Sequence, residues 1–180
     1  PAQPPAAPRP VNLAFEDQFD NKPDLASLRG QVVVLVYGDR KGTDACRQFG
    51  ERLHVLFHPT AKGLPPAKAR QQPAAELPGR KPGQVSPDVA VVPVACCGKL
   101  PGVVRAVIRA QVKTGSPGVP VWLDFEQTMA THFGLTSGQV NVAVFDAAGV
   151  YRHGFTGTPD AKQQQELVQV IQNLRAEAVK

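Results

Sequence analysis

The segment from Gln31 to Phe49 constrains the fold more than any other and reads QVVVLVYGDRKGTDACRQF. Its first part, Val32 to Tyr37, is a short, continuous run of β-branched and aromatic residues, which is typical of a strand covered on both faces. A polar turn follows, and then apolar residues at three- and four-residue spacing predict a helix with Cys46 in its first turn. The segment therefore predicts a strand–turn–helix unit of an α/β protein.

The rest of the chain alternates strands and helices. Further strands are expected at 89–95, 119–123, 140–145 and 150–154, the last two joined as a hairpin by an Asp146–Gly149 turn. One helix is expected to begin at residue 101 or 102, with Val103, Val104 and Val107 on one face, and a second helix is expected over 125–133. The last helix is expected to begin at Thr158, whose hydroxyl would cap it. This order predicts early parallel strands and a late antiparallel hairpin.

Proline and charge divide the 180 residues into a tail, 1–10, and one domain, 11–180, with a basic Pro/Gly-rich insertion at 58–87. A net charge of +5 favours acidic partners, and no motif for nucleic-acid binding accompanies it. We therefore expect a protein partner that docks on the tail and the insertion. No apolar run is long enough to cross a membrane, which still allows contact with a membrane-bound complex. The start PAQPPAAPRP resembles a processed secretory chain, so a periplasmic or secreted location is expected.

Three segments together resemble the thioredoxin-like redoxin superfamily, which includes TlpA-type and peroxiredoxin-type proteins. They are VVVLVYGDRKGTDAC, VPVWLDFEQTMATHFGL and NVAVFDAAGVYRHGFTGTPDAKQQQELVQVIQNL. The resemblance implies a three-layer sandwich: a central mixed sheet, helices on both faces, a late antiparallel β-hairpin and a C-terminal helix. It is nearest to the YtfJ-like bacterial envelope proteins, which lack a C-x-x-C motif.

The redox positions of that superfamily are only partly present. The partner cysteine of a C-x-x-C pair would fall at Thr43, and the family's cis-proline would fall at Val140. The peroxiredoxin pattern Pro-x-x-x-Thr-x-x-Cys is matched at Thr43 and Cys46 but has Asp39 in place of the proline. The resemblance therefore implies Cys46 and Thr43 as candidate catalytic residues of an incomplete site.

The state of the cysteines is left open by the sequence. A helix N-terminus and the basic residues Arg40, Lys41 and Arg47 favour the Cys46 thiolate, whereas Asp39 and Asp44 oppose it. Cys96 and Cys97 follow the next strand of the predicted sheet, so either of them can form a disulfide with Cys46 or act as a resolving thiol. The alternative is that all three are buried, unlinked thiols.

A metal site is not expected. Cys46, Cys96 or Cys97 with His132 or His153 would form a copper or zinc site only if the fold assembled them, because close ligand spacings are absent. His54 and His58 are the one histidine pair at four-residue spacing. No bound cofactor is expected either, since no phosphate-binding loop occurs.

Two functions of different class follow. The leading hypothesis is an envelope protein with a degenerate redox site that serves as a binding or assembly subunit of a larger complex rather than as a dithiol oxidoreductase. The alternative is a thiol-dependent, peroxidase-like enzyme with Cys46 as nucleophile and Cys96 or Cys97 as resolving thiol. A third reading, an accessory factor that handles copper or haem, gives the cysteines a ligand role.

Overall fold

A computed structural model describes residues 9–81 and 83–179. The six strands are β1 (Glu16–Asp17), β2 (Val32–Gly38), β3 (Val89–Cys96), β4 (Trp122–Asp124), β5 (Asn141–Phe145) and β6 (Tyr151–Thr156). The α-helices in these ranges are α1 (Thr43–Phe57), α2 (Pro66–Ala69), α3 (Gly102–Gly115), α4 (Thr128–Phe133) and α5 (Ala161–Glu177). Most of the predicted Pro-rich tail, residues 1–8, lies outside the described residues.

The strands form one mixed sheet in the order β1-β4-β3-β2-β5-β6. β2, β3 and β4 are parallel, whereas β5 is antiparallel to β2, and β5 and β6 form the late hairpin. This confirms the predicted fold class, a thioredoxin-like sandwich with helices on both faces of a mixed sheet. β4 is shorter than the strand predicted at 119–123 and ends at Asp124, because pairing with β3 begins only at Trp122.

The central strand β2 is buried along its whole length, as its continuous apolar run predicts. Val32, Val34 and Val36 pack on one face against α1 and α5, and the alternate side chains pack on the other face. That second face is covered by α4 and by the segment that carries Leu13 and Phe15. Each fully buried aliphatic side chain of this kind contributes about 1.5–3 kcal/mol.

Helix α3 packs with its basic face, not its valine face, toward the domain. Val103 is 80 % exposed. Arg105 and Arg109 lie over the ring of Phe125, with guanidinium carbons 5.0 and 5.7 Å from the ring centroid, and both pair with Glu16. Arginine can do this because its stem covers apolar surface while its planar head stacks on the ring and pairs with carboxylates.

The predicted cap of the last helix is wrong. α5 is capped by Asp160, whose carboxylate accepts a hydrogen bond from Gln163 N at 2.8 Å. The Gln163 side chain accepts in return from Asp160 N at 3.0 Å. This reciprocal capping box satisfies two free N–H groups, which the hydroxyl of Thr158 alone would not do.

The insertion at 58–87 contains α2 and is fastened to the domain by Arg175 of α5. Arg175 is fully buried and donates hydrogen bonds to the carbonyl oxygens of Ala75 and Pro87, both at 2.7 Å. Ala75 N also donates to the Phe57 carbonyl at 2.8 Å. These contacts hold the insertion against the ends of α1 and α5.

Candidate functional site

Cys46 lies in the first turn of α1 and points back to the end of β2. The residue is 8 % exposed, and its thiol donates toward two carbonyl oxygens, those of Tyr37 at 3.5 Å and Gln139 at 3.8 Å. A Cβ atom on Gly38 would lie 2.6 Å from Sγ, so the absence of a side chain at Gly38 makes room for the thiol. The sulfur therefore occupies a closed position bounded by backbone.

This environment stabilises the neutral thiol. Burial raises the pKa of Cys46, a backbone hydrogen bond from Asn141 lowers it, and the charge of Asp39 raises it again. Hydrogen bonds from the Ser137 hydroxyl and from Gly138 N hold the pKa of Asp39 below its usual range, so a carboxylate is fixed near the sulfur. The net effect on the pKa of Cys46 is upward.

The basic residues that were expected to favour the thiolate do not counter this effect. Arg47 extends to Asp44 and Glu51, at 3.6 and 3.4 Å. Arg40 and Lys41 are exposed to solvent, which screens their charge. The thiol also meets carbonyl oxygens, which stabilise a proton on sulfur rather than a negative charge.

Thr43, the other predicted catalytic residue, is exposed, and its hydroxyl donates to the Asp39 carbonyl at 3.3 Å. The structure thus directs this hydroxyl to the turn that precedes α1 and not to the Cys46 sulfur. Whether Thr43 takes part in any chemistry stays a prediction.

Cys96 and Cys97 lie at the end of β3, which is the neighbour of β2 as predicted, with Ala95 beside Gly38. All three cysteines are free thiols. Cys46 belongs to the core on the α1 face of the sheet, whereas Cys96 packs against the core on the opposite face. The pairing of Cys46 with either residue stays a prediction.

These two thiols are also in environments that favour the protonated form. Burial raises the pKa of Cys97 to about 11, with the charge of Asp124 adding to the effect. Burial raises the pKa of Cys96 as well, and the charges of Asp124, Cys97 and Cys46 contribute in that order. Burial and the Asp124 charge therefore keep both Cys96 and Cys97 in the thiol form.

Val140 stands where the family's proline was expected, and it is buried in the same core as Cys46. The peptide bonds of the described residues are all trans. The preceding carbonyl, that of Gln139, accepts from the thiol, and a Cβ on Gly42 would come within 2.9 Å of it. The loop before β5 thus closes over the sulfur.

Sequence reasoning missed Gln139 and Asn141 as neighbours of Cys46, because no local sequence pattern indicates a contact between residues more than 90 positions apart.

The histidine pair His54 and His58 lies away from the cysteines, at the end of α1. The rings stack with centroids 4.1 Å apart. His58 Nδ1 lies 2.9 Å from the His54 carbonyl oxygen and Nε2 lies 2.9 Å from a carboxylate oxygen of Asp88. Both neighbours of the His58 ring are hydrogen-bond acceptors, which fixes the orientation of the ring.

Within residues 9–81 and 83–179, no three side chains of His, Cys, Asp or Glu come together as a metal site. The structure does not bring His132 or His153 into such a group with the cysteines. No helix in the part of the chain that the structure describes is long and apolar enough to span a membrane.

No family model and no curated protein matches this sequence. Solved structures do match. A candidate protein disulfide isomerase from Bacteroides thetaiotaomicron is 17 % identical, with a TM-score of 0.55 and coverage of 94 % of this chain and 89 % of that one. An exposed lipoprotein thioredoxin from Streptococcus pneumoniae is 13 % identical, with a TM-score of 0.56 and coverage of 89 % and 99 %.

A member of the Sco family of cytochrome c oxidase assembly proteins is 10 % identical, with a TM-score of 0.52 and coverage of 97 % and 98 %. At these identities the likeness shows the fold. The chain is thus a thioredoxin-like protein in fold, whose site holds a single buried cysteine on α1, with Thr43 where the first cysteine of a C-x-x-C pair would stand. The finer resemblance to YtfJ-like proteins stays a prediction.

Proposed function

We propose that this protein is an extracytoplasmic binding or assembly protein that uses the thioredoxin fold as a scaffold and does not turn over disulfides. The observation that carries the proposal is the state of Cys46: buried, hydrogen-bonded to two carbonyl oxygens, and raised in pKa. Attack on a disulfide needs an accessible thiolate, and release of the mixed disulfide needs a second thiol. Thr43 stands where the first, attacking cysteine of a C-x-x-C pair would be, so Cys46 has no partner thiol in that motif.

Reactivity is the direct test. We expect the native protein to reduce insulin disulfides no faster than the Cys46→Ser variant does. Iodoacetamide should modify Cys46 slowly at neutral pH in the native state and rapidly after denaturation. Rapid labelling of native Cys46 together with insulin reduction that depends on Cys46 would contradict the proposal.

The partner is proposed to dock on the insertion. Lys62, Lys68 and Lys81 are exposed there, and the fastening by Arg175 holds the segment in place for an acidic surface. The extracytoplasmic location is supported by the similarity to an exposed lipoprotein thioredoxin.

Docking can be tested with two matched triple variants that carry the same change of charge. Lys62, Lys68 and Lys81 are changed to Glu in one, and the exposed Lys22, Lys99 and Lys162 are changed to Glu in the other. Cross-linking mass spectrometry on envelope extracts should find one partner that the wild type and the control triple retain and that the insertion triple loses. Equal loss in both triples would reject the insertion as the docking element.

One observation favours a second candidate, a thiol peroxidase: β2 and β3 are parallel neighbours with Gly38 paired to Ala95, so the end of β2, which precedes Cys46, lies beside the end of β3, which carries Cys96. In that reaction the Cys46 thiolate attacks a peroxide oxygen, giving a sulfenic acid and releasing water or alcohol. Cys96 or Cys97 then displaces water and forms a disulfide. Peroxide consumption that Cys46→Ser abolishes would favour this candidate, and consumption unchanged in that variant would reject it.

A further inference from the structure

A cleft of about 560 Å³ lies between α1, the insertion and the segment that leads into β4, and it is separate from the cysteines. Its walls are mainly apolar and include Val55, Leu64, Val91, Val119 and Val121. Leu64 is 38 % exposed, so this wall presents hydrocarbon that the protein itself does not cover. The volume is in the range of clefts that hold small organic molecules, roughly 300–1,000 Å³.

Two arginines, Arg47 and Arg70, line this apolar cleft. Arg70 lines it directly after α2, and its guanidinium Nη2 donates to the Val91 carbonyl oxygen at 3.3 Å. Burial lowers the pKa of Arg70. The ion pairs found among residues 9–81 and 83–179 involve other arginines and lysines, so no carboxylate in those ranges neutralises Arg70.

The position of Arg70 is fixed by its neighbours. His54 Nε2 lies 3.0 Å from the Ala69 carbonyl oxygen, which ties the residue before Arg70 to α1. The other arginine at the cleft, Arg47, is already paired with Asp44 and Glu51. Glu51 also lines the cleft, but it pairs with Arg47. Arg70 is therefore the arginine of the lining that has no carboxylate partner in the described ranges, and it is held beside a hydrocarbon wall.

We propose that this cleft binds a small monocarboxylate with a hydrocarbon body, such as a medium-chain fatty acid, with the carboxylate on Arg70 and the chain along Val55, Leu64 and Val121. A guanidinium binds a carboxylate through paired N–H groups, and a partly desolvated site strengthens the bond. One free cation matches one negative charge, and the apolar wall matches an alkyl chain. This binding function goes beyond the proposed scaffold role and does not depend on the state of Cys46.

The test uses sodium decanoate, below its micelle concentration, titrated into the whole chain labelled with ¹⁵N. We expect saturable amide shifts centred on Val55, Leu64, Val119 and Val121, with little change around Cys46. Arg70→Gln should weaken the affinity by at least about tenfold, the loss expected for one charge-assisted hydrogen bond. Arg52→Gln, a change at an exposed arginine of α1 that does not line the cleft, should bind as the wild type does.

The ligand supplies a test that does not depend on the folding of any variant. Decan-1-ol has the same alkyl chain without the charge, and we expect the wild type to bind it at least about tenfold more weakly than decanoate. Equal affinity for the two compounds, shifts outside the cleft, or no saturable shift at millimolar decanoate would overturn the proposal. Tighter binding of an apolar peptide with a free C-terminal carboxylate would overturn the assignment to small carboxylates.

Discussion

The closed position of the Cys46 thiol can be tested by adding one methyl group to the strand below it. A Cβ on Gly38 would lie 2.6 Å from Cys46 Sγ and 3.3 Å from the Gln139 carbonyl oxygen. The contact with sulfur is roughly 1 Å shorter than the ~3.5 Å at which non-bonded heavy atoms make good contact. The backbone of Gly38 is not in the left-handed region, so Gly38→Ala tests the steric contact and not backbone strain.

We expect Gly38→Ala to lower the free energy of unfolding by about 1–3 kcal/mol, the usual cost of overpacking a core. In a Cys46→Ala background the sulfur is gone, and the new methyl group occupies part of its space. Gly38→Ala should then cost about 1–2 kcal/mol less than in the wild type, a coupling of the size found between residues in contact. Urea unfolding of the four proteins under reducing conditions measures each free energy.

Gly42→Ala is the matched control. Its Cβ would meet backbone atoms of Gln139, at 2.9 Å from the carbonyl oxygen and 3.3 Å from the nitrogen, and no atom of Cys46 is among its nearest contacts. Its cost should therefore be the same with and without the sulfur. Additive effects of Gly38→Ala and Cys46→Ala, or equal coupling for Gly42→Ala, would refute the geometry derived for the site.

Three further predictions concern how the domain is held together. Arg175→Met should lower the free energy of unfolding by about 2–4 kcal/mol, because two buried carbonyl oxygens lose their hydrogen-bond donor, and it should speed tryptic cleavage of the insertion. Arg152→Met is the control: it loses only partly exposed ion pairs and should lower the free energy of unfolding by less than about 1 kcal/mol. Asp88 is hydrogen-bonded to His58, and this bond holds the pKa of Asp88 below its usual range. The Asp88 carboxylate therefore stabilises the folded state at pH values above its pKa in the unfolded chain, and this stabilisation is lost as the pH falls through its pKa in the folded state. Asp88→Asn should therefore cost about 1 kcal/mol or less at pH 7, since the side chain is 44 % exposed, and nothing well below pH 4; a difference from the wild type that is independent of pH would reject this account. Asp160→Ala should cost about 0.5–2 kcal/mol in urea unfolding, and an unchanged midpoint would show that the capping box does not stabilise α5.

Much of the fold could be predicted because its signals are local. The apolar run of β2, the helical spacing after Cys46 and the turn at Asp146–Gly149 each depend on residues that are close in the chain. Parallel pairing of β2 with β3 follows from the elements between them. The N-cap of α5 was misplaced by two residues, because Thr158 and Asp160 are both good caps and only the backbone geometry selects between them.

The candidate site could be predicted only as a set of residues. The sequence alone determined that Cys46 lies in the first turn of a helix after a buried strand and that Thr43 replaces the first cysteine of a C-x-x-C pair. It could not determine the direction of the pKa shift, because that shift depends on burial and on the loop before β5, which contacts Cys46 from more than 90 residues away.

The tertiary structure alone decided which surfaces are covered. Periodicity shows which residues of a helix share a face, but only packing decides which face is buried, and in α3 the arginines and not the valines lie against the domain. The same holds for Arg70, one basic residue among several in the insertion, which faces an apolar cleft without a carboxylate partner in the described ranges. Charge and hydrophobicity are properties of the sequence, whereas desolvation and pairing arise when distant segments meet.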